Sequence, residues 1–123
     1  MNPATLALIL LSVTISALAQ ISLKLGMSSA AVQRAMTWST LDTVYAVAFN
    51  PFVIGGFVLY GIGAISWLFV LARIDVSQAY PFMGLGLLMT FIIGYVALHE
   101  PITSLRAAGM LLVITGIAIV ARS

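Results

Sequence analysis

The residues of this chain that could do chemistry are few, and the clearest set lies near its start. Ser12, Ser16, Gln20 and Lys24 recur every four residues, so on a helix they form one slowly drifting stripe. A Lys at the centre of a membrane helix costs about 2.5–3.5 kcal/mol, so such a stripe should face other helices or a wet cavity. We interpret it as the lining of a pathway in which Lys24 offers a positive charge and Gln20 a hydrogen-bond donor to an anion.

Two members of the stripe also have a plainer explanation, and the sequence leaves both open. Lys24 lies near the end of its helix, where a long side chain can extend its amine to the membrane surface. Gln20 can simply form a hydrogen bond to a neighbouring helix, worth about 0.6–2 kcal/mol.

A second polar group stands in the segment Ser77-Gln78-Ala79-Tyr80-Pro81. Gln78 can donate and accept hydrogen bonds, and Tyr80 offers a phenol and a ring face. If a helix begins at Ser77, Pro81 deletes one backbone hydrogen bond, and the freed carbonyl then needs protein or water nearby. If the helix begins at Tyr80 or Pro81, no bond is lost. We expect Tyr80 and Pro81 to border a polar cavity in the first case.

The acidic residues all lie outside the apolar runs. Asp42, Asp75 and Glu100 lie at segment ends or in the long connection. An ion-coupled exporter, by contrast, would need a titratable group inside the membrane. Glu100 and His99 are the nearest candidates, and they can equally be a helix cap and a solvated turn. With one His, no Cys and no catalytic triad, paired carboxylates or phosphate loop, we expect neither an enzyme nor a metal or cofactor site.

Composition decides the class of protein in which these residues must work. Of 123 residues, 63% are hydrophobic and 7% charged, the formal net charge is +2 and the mean hydropathy is +1.20. An average soluble domain has roughly 25% charged residues. These values exclude a soluble globular domain, a disordered tail and a nucleic-acid binder, and they predict a small integral membrane protein.

Four apolar windows are long enough to cross a bilayer, which takes about 20 residues each. The short second and third connections force their neighbouring helices to run antiparallel. The long first connection contains a semi-apolar segment, 39–49, that we predict to be a short helix lying on the membrane. The sequence therefore predicts an all-α membrane protein forming a single domain of four transmembrane helices. The predicted spans are about 3–25, 51–72, 77–98 and 102–121.

Prolines mark three of the predicted helix starts. Asn2-Pro3, Asn50-Pro51 and Glu100-Pro101 each fit a capping residue followed by Pro at the first helical position. Ala17-Leu18-Ala19 has the small residues of a signal-peptidase site, but no Lys or Arg precedes it. We therefore expect the first apolar run to be a span and not a cleaved leader.

Glycines and one tryptophan suggest where helices bend or meet. Gly55 and Gly56 in the second span permit close packing or bending. Gly109 and Gly116, seven residues apart, share one face of the fourth span, which we interpret as a contact surface between subunits. Trp67 fits either the aromatic belt at the membrane boundary or a cavity wall.

Three stretches together resemble a known group of transporters. They are residues 16–24 with Gln-x-x-x-Lys, residues 76–81 with Val-x-x-Ala-Tyr-Pro, and the His-Glu-Pro turn at 99–101 followed by a glycine-bearing helix. This order resembles four-helix members of the drug/metabolite transporter superfamily, which includes small multidrug resistance exporters and EamA-like proteins. The resemblance is closest to the ArnE/ArnF type, paired small subunits proposed to flip undecaprenyl-phosphate-aminoarabinose across the bacterial inner membrane.

One departure separates this chain from the drug exporters. Small multidrug resistance exporters carry an essential Glu in the middle of their first helix, and aligning on Lys24 places Ser16 there. A cationic drug would lack its counter-charge, and proton coupling would lose its carrier. Lys24 and Gln20 suit an anionic phosphate headgroup instead.

The resemblance implies a small multidrug resistance-like bundle that is surrounded by the lipids of the bacterial inner membrane. It further implies that this bundle translocates a polyprenyl-phosphate-linked sugar across that membrane. Because four short spans enclose little cavity, we expect a homodimer or a heterodimer with a related four-helix subunit. The alternatives are a small multidrug resistance-type exporter of organic cations, and an accessory subunit of a sister transporter or a lipid-sugar glycosyltransferase. The residues expected to contact substrate are Ser16, Gln20, Lys24, Gln78, Tyr80 and Glu100, with Pro81 and the four glycines as hinge or packing positions.

Overall fold

The computed structural model describes residues 2–122, which form helices and short connections without any strand. Four of its segments are long and apolar enough to cross a membrane, so the chain is a multi-pass membrane protein. The expected all-α class with four transmembrane helices is confirmed. The helices are α1 (Pro3–Met27), α2 (Ala30–Met36), α3 (Thr40–Ala48), α4 (Pro51–Leu71), α5 (Val76–Ala79), α6 (Met83–Leu98) and α7 (Ser104–Ala121).

The Asn-Pro pairs begin two of the spans, as the sequence predicts. Asn2 Oδ1 accepts a hydrogen bond of 2.9 Å from the Ala4 amide at the start of α1. Asn50 Oδ1 accepts from the amides of Phe52 (2.9 Å) and Val53 (3.3 Å) at the start of α4. Both carboxamides therefore satisfy amide groups that the first turn of a helix leaves without a partner.

The third predicted start is wrong. Glu100 and Pro101 lie outside a helix, and α7 begins at Ser104 after Thr103, whose Oγ1 accepts from the Arg106 amide over 3.1 Å. The cause is the end of α6, where His99 adopts a left-handed conformation (φ 56°) and the Glu100 amide donates back to the Gly94 carbonyl over 3.1 Å. Since Glu100 completes this C-terminal cap, it cannot also begin the next helix.

The third span is helical on both sides of Pro81. α5 begins at Val76, a 3₁₀ turn covers Tyr80–Phe82, and α6 continues from Met83. Of the two alternatives, the structure has the one in which the proline lies inside the helical segment. The tighter turn is the local adjustment that accommodates a residue without an amide hydrogen.

The long first connection forms two short helices where the sequence indicated one. α3 lies within the segment predicted to be helical, whereas α2 was not expected. Each is preceded by a capping serine, Ser29 for α2 and Ser39 for α3. Each serine hydroxyl accepts a hydrogen bond from the amide three residues further along the chain. The large side chains of this connection, among them Trp38 and Phe49, are mostly exposed, and its position on the membrane surface stays a prediction.

Asn50 ties this connection to the bundle. Its side chain is buried, and its Nδ2 donates to the Gly26 carbonyl (3.3 Å) and to Ser29 Oγ (3.1 Å) while Oδ1 caps α4. One side chain thus joins the end of α1, the start of α2 and the start of α4.

α1 is the central helix of the bundle. It runs antiparallel to α4, since Gly56 faces Leu23 and Gly63 faces Ser16, and parallel to α6, where Gly86 faces Val13. A Cβ at Gly56 would lie 2.7 Å from the Leu23 side chain, which shows how closely α1 and α4 pack.

The apolar core at one end of the bundle consists of Ile9, Val13, Val70, Ala79, Phe82 and Ile117.

α7 packs mainly through two side chains. Ile117 is buried, Val113 is half-buried, and both meet α6 at Gly84. A Cβ at Gly109 or Gly116 would meet nothing within 4 Å, so the glycine face of α7 is uncovered within this chain. Contact of that face with another subunit stays a prediction.

Candidate functional site

An open cleft of about 720 Å³ lies between α1, α4 and the third span. Its walls are mostly apolar, with hydroxyl, amide and aromatic groups set among them. α1 contributes one wall because its polar stripe faces the two helices that it packs against. The polar and aromatic lining residues are Ser12, Ser16, Gln20, Tyr60, Trp67, Tyr80 and Thr90.

Three of the four stripe residues line the cleft. Ser12 is almost fully buried and its hydroxyl donates to the Leu8 carbonyl over 2.9 Å, so it serves its own helix. Ser16 is half-buried and faces α4 near Gly63. Gln20 is exposed to the cleft, and its Nε2 donates to the Tyr60 hydroxyl over 3.2 Å. Gln20 therefore both links two helices and presents an amide to the cleft.

Lys24 lies outside the cleft. It is exposed in the last turn of α1, four residues beyond Gln20, which corresponds to about 6 Å along the helix axis. The structure thus separates the charged end of the stripe from the three residues that line the cavity. At this position the amine can reach the membrane boundary.

The other predicted site residues divide in the same way. Tyr80 and Pro81 line the cleft from the 3₁₀ turn, with Tyr80 61% exposed. Gln78, half-buried in α5, is not among the lining residues. Trp67 is half-buried and lines the cleft, as expected of a cavity wall.

Tyr60 is the lining residue that sequence reasoning missed. It lies mid-way along α4, where a phenol inside an otherwise apolar span was the available signal. Its pairing with Gln20 could not be read from the sequence, because the two residues are 40 positions apart and meet only when the helices pack.

The cleft offers hydrogen bonds but no charge. Within residues 2–122, none of the residues that line it is Asp, Glu, Lys, Arg or His. It can therefore hold hydroxyl-rich or amide-bearing groups, while neutralisation of a charge would have to come from outside it. In the same described part of the chain, no three His, Cys, Asp or Glu side chains gather as a metal site would require.

A second groove, of about 580 Å³, lies between α6 and α7. It contains Glu100, together with Arg106, whose Nη1 donates to the Pro101 carbonyl over 3.0 Å. Leu87 and Thr90 line both this groove and the first cleft, so the two cavities share a wall on α6. Glu100 is thus adjacent to the first cleft without lining it.

Comparison with known proteins gives relatives over about half of the chain. The chain is 33% identical over 63 residues to a Pseudomonas aeruginosa PAO1 protein named "Probable 4-amino-4-deoxy-L-arabinose-phosphoundecaprenol flippase subunit ArnE". This alignment covers 51% of this chain and 55% of the relative. The chain is 40% identical over 60 residues to a protein of the same name from Enterobacter sp. 638, covering 49% and 56%. A Pseudomonas savastanoi homologue of that name is 35% identical over 57 residues, covering 46% and 50%.

The match spans about half the length of these curated relatives. No protein-family model matches the chain, and no solved structure matches it. The relatives are named as flippase subunits, which are transporters and not enzymes.

Proposed function

We propose that this protein is a subunit of a flippase that moves a polyprenyl-phosphate-linked amino sugar across the bacterial inner membrane. One observation of the site supports this most: Gln20 and Tyr60 present an amide and a phenol on the wall of an open, uncharged cleft that reaches into the membrane span. Sugar hydroxyls bind such groups by hydrogen bonds. The named activity of the relatives, which the chain matches over about half of their length, supports the same substrate class.

In this proposal the headgroup enters the cleft and the polyprenyl chain stays in the lipid. Ser16, Gln20 and Tyr60 hydrogen-bond the sugar, and the exposed ring of Tyr80, nearer the other end of the bundle, packs on its face later in its passage through the cleft. Lys24 lies at the membrane boundary beyond Gln20, where its amine attracts the phosphate before the sugar enters.

Two further predicted residues act around the cleft and not inside it. Gln78 contacts polar parts of the headgroup at the end of the cleft near Tyr80, since it lies two residues before that ring. The 3₁₀ turn at Pro81 and the glycines Gly55 and Gly56 allow the third span and α4 to shift, opening the cleft to each side in turn.

The flippase is a dimer, either of this chain or with a related four-helix subunit. Support comes from α7, which buries only Ile117 within the chain and leaves Gly109 and Gly116 uncovered. Small residues on a membrane helix permit close approach of a second helix. The partner's helix packs on this face, and the two clefts then form one path.

The cleft argues against a small multidrug resistance-type exporter of organic cations. Such a substrate needs a carboxylate as its counter-charge, and within residues 2–122 no acidic side chain lines the cleft.

Native mass spectrometry of the gently solubilised protein tests the substrate class. The protein is offered an undecaprenyl phosphate carrying aminoarabinose and, separately, an aromatic cation. We expect a dimer that retains the lipid and ignores the cation, and we expect Gln20→Leu to weaken lipid retention while Ser66→Ala, on α4 outside the cleft, does not. Retention of the cation without the lipid would contradict the proposal.

A further inference from the structure

The groove between α6 and α7 contains the charges that the first cleft lacks. Glu100 and Arg106 both line it, one negative and one positive, at the end of the bundle where α6 gives way to α7. Because α1 and α6 run parallel, Lys24 lies at the same end. The remaining walls of the groove are largely apolar.

We infer that this groove is a second lipid site, in which Arg106 binds the phosphate and Glu100 binds a protonated amine on the same headgroup. This inference rests on the flippase function proposed above, because a lipid-linked amino sugar carries exactly one group of each kind. It assigns recognition of the amine to Glu100 and adds Arg106 to the residues that contact substrate.

Arg106 is positioned to bind an anion. One of its terminal nitrogens donates a hydrogen bond to the Pro101 carbonyl, and its backbone amide donates to Thr103 Oγ1. Hydrogen bonds therefore fix both its guanidinium and its backbone. A guanidinium has five N–H donors. The bond to Pro101 leaves donors for a phosphate, and the exposed side chain gives a ligand access to them.

Glu100 occupies a position that its own helix disfavours. Its carboxylate lies over Gly94, where a Cβ would stand 2.5 Å from Oε1, so the side chain is folded against the last turn of α6. The C-terminal end of a helix carries partial negative charge, which repels a carboxylate. The Glu100 carboxylate does not cap the start of α7, since the Thr103 hydroxyl does so. A cationic ligand would relieve this repulsion.

The apolar wall of the groove fits a hydrocarbon chain. Leu87, Phe91, Met110 and Val113 line it towards the middle of the span. A lipid with its phosphate at Arg106 therefore has an open trough for its chain. Leu87 and Thr90 also border the first cleft, so the two cavities share the wall along which the chain would lie.

The test measures lipid binding by the purified full-length protein for three lipids: undecaprenyl phosphate, its aminoarabinose-bearing form, and a diacyl phosphatidylglycerol. Losing one charge-assisted contact should weaken binding by at least about tenfold. We expect Arg106→Gln to weaken binding of both polyprenyl lipids, and Glu100→Gln to weaken only the amine-bearing one. Arg73→Gln and Asp75→Asn, which remove exposed charges at the other end of the bundle, should change neither.

Two results would overturn the inference. The first is a Glu100→Gln protein that binds both polyprenyl lipids as the parent does. The second is a parent protein that binds phosphatidylglycerol as tightly as the amine-bearing lipid.

Glu100→Asp and Arg106→Lys keep the charges, so recovery of binding in these variants supports recognition of charge and excludes a folding defect. If the parent flips the lipid and Glu100→Gln and Arg106→Gln flip it equally well, only the second site fails; if the parent neither binds nor flips it, the proposed function fails.

Discussion

Gln20 on α1 donates a hydrogen bond to the hydroxyl of Tyr60 on α4 over 3.2 Å. The two residues lie where the antiparallel helices form one wall of the open cleft, between the close contacts of Gly56 with Leu23 and of Gly63 with Ser16. The pair is thus both a link between two spans and a polar surface towards the cleft.

Loss of either member of the pair should impair transport more than stability. Gln20→Leu and Tyr60→Phe should each slow headgroup transfer about tenfold by removing a hydrogen bond to the sugar. The free energy of unfolding should fall by only about 0.6–2 kcal/mol, the worth of one bond between membrane helices. A flipping assay and thermal unfolding in detergent measure the two effects. Transport by both variants at the parent rate would remove the pair from the site.

Asn50 should matter for stability and not for substrate. Asn50→Ala leaves the amides of Phe52 and Val53 uncapped and breaks the bonds to Gly26 and Ser29, so unfolding free energy should fall by about 1–3 kcal/mol. Asn50→Asp keeps the acceptor at the cap and loses only the donor. It should therefore be destabilised less than Asn50→Ala, and an equal loss in both would show that the cap contributes nothing.

The contact of α1 with α4 depends on Gly56. Gly56→Ala puts a Cβ 2.7 Å from Leu23 and 3.1 Å from its amide, so a helix must shift and unfolding free energy should fall by about 1–3 kcal/mol. Gly61→Ala is the matched control, because a Cβ there meets nothing within 4 Å. Thermal unfolding of the two variants should differ clearly; equal melting temperatures would contradict this packing.

The uncovered face of α7 should control assembly. Gly116→Leu adds a large side chain to that face at a position where a Cβ meets nothing within 4 Å, so monomer stability should hardly change. The dimer should dissociate, because the second helix can no longer approach closely. Size-exclusion chromatography with light scattering distinguishes the two forms. A dimer that persists in Gly116→Leu and Gly109→Leu would place the interface elsewhere.

The membrane helices followed from the sequence because length and hydropathy are local properties. The Asn-Pro starts of α1 and α4 were predicted for the same reason, since a cap involves only neighbouring residues. The Glu100-Pro101 start failed because the left-handed cap at His99 depends on how the preceding helix ends. A sequence pattern that fits a helix cap does not show whether those residues end the preceding helix or begin the next one.

The site was only partly predictable. Helical spacing correctly placed Ser12, Ser16 and Gln20 on one face, and the structure puts that face in the cleft. Spacing alone could not show that the stripe leaves the cleft before Lys24. Nor could it show that Gln20 meets Tyr60, because contacts between helices depend on their packing and not on local sequence.

The most direct measurement is flipping of an aminoarabinose-bearing polyprenyl phosphate in liposomes that contain this protein, alone and with a related four-helix subunit. Accessibility of the sugar amine to a membrane-impermeant reagent reports which leaflet the lipid occupies. We expect transfer between leaflets with at least one of the two compositions, slowed about tenfold by Gln20→Leu and unchanged by Ser66→Ala. Transfer no faster than in protein-free liposomes under both compositions would contradict the proposed function.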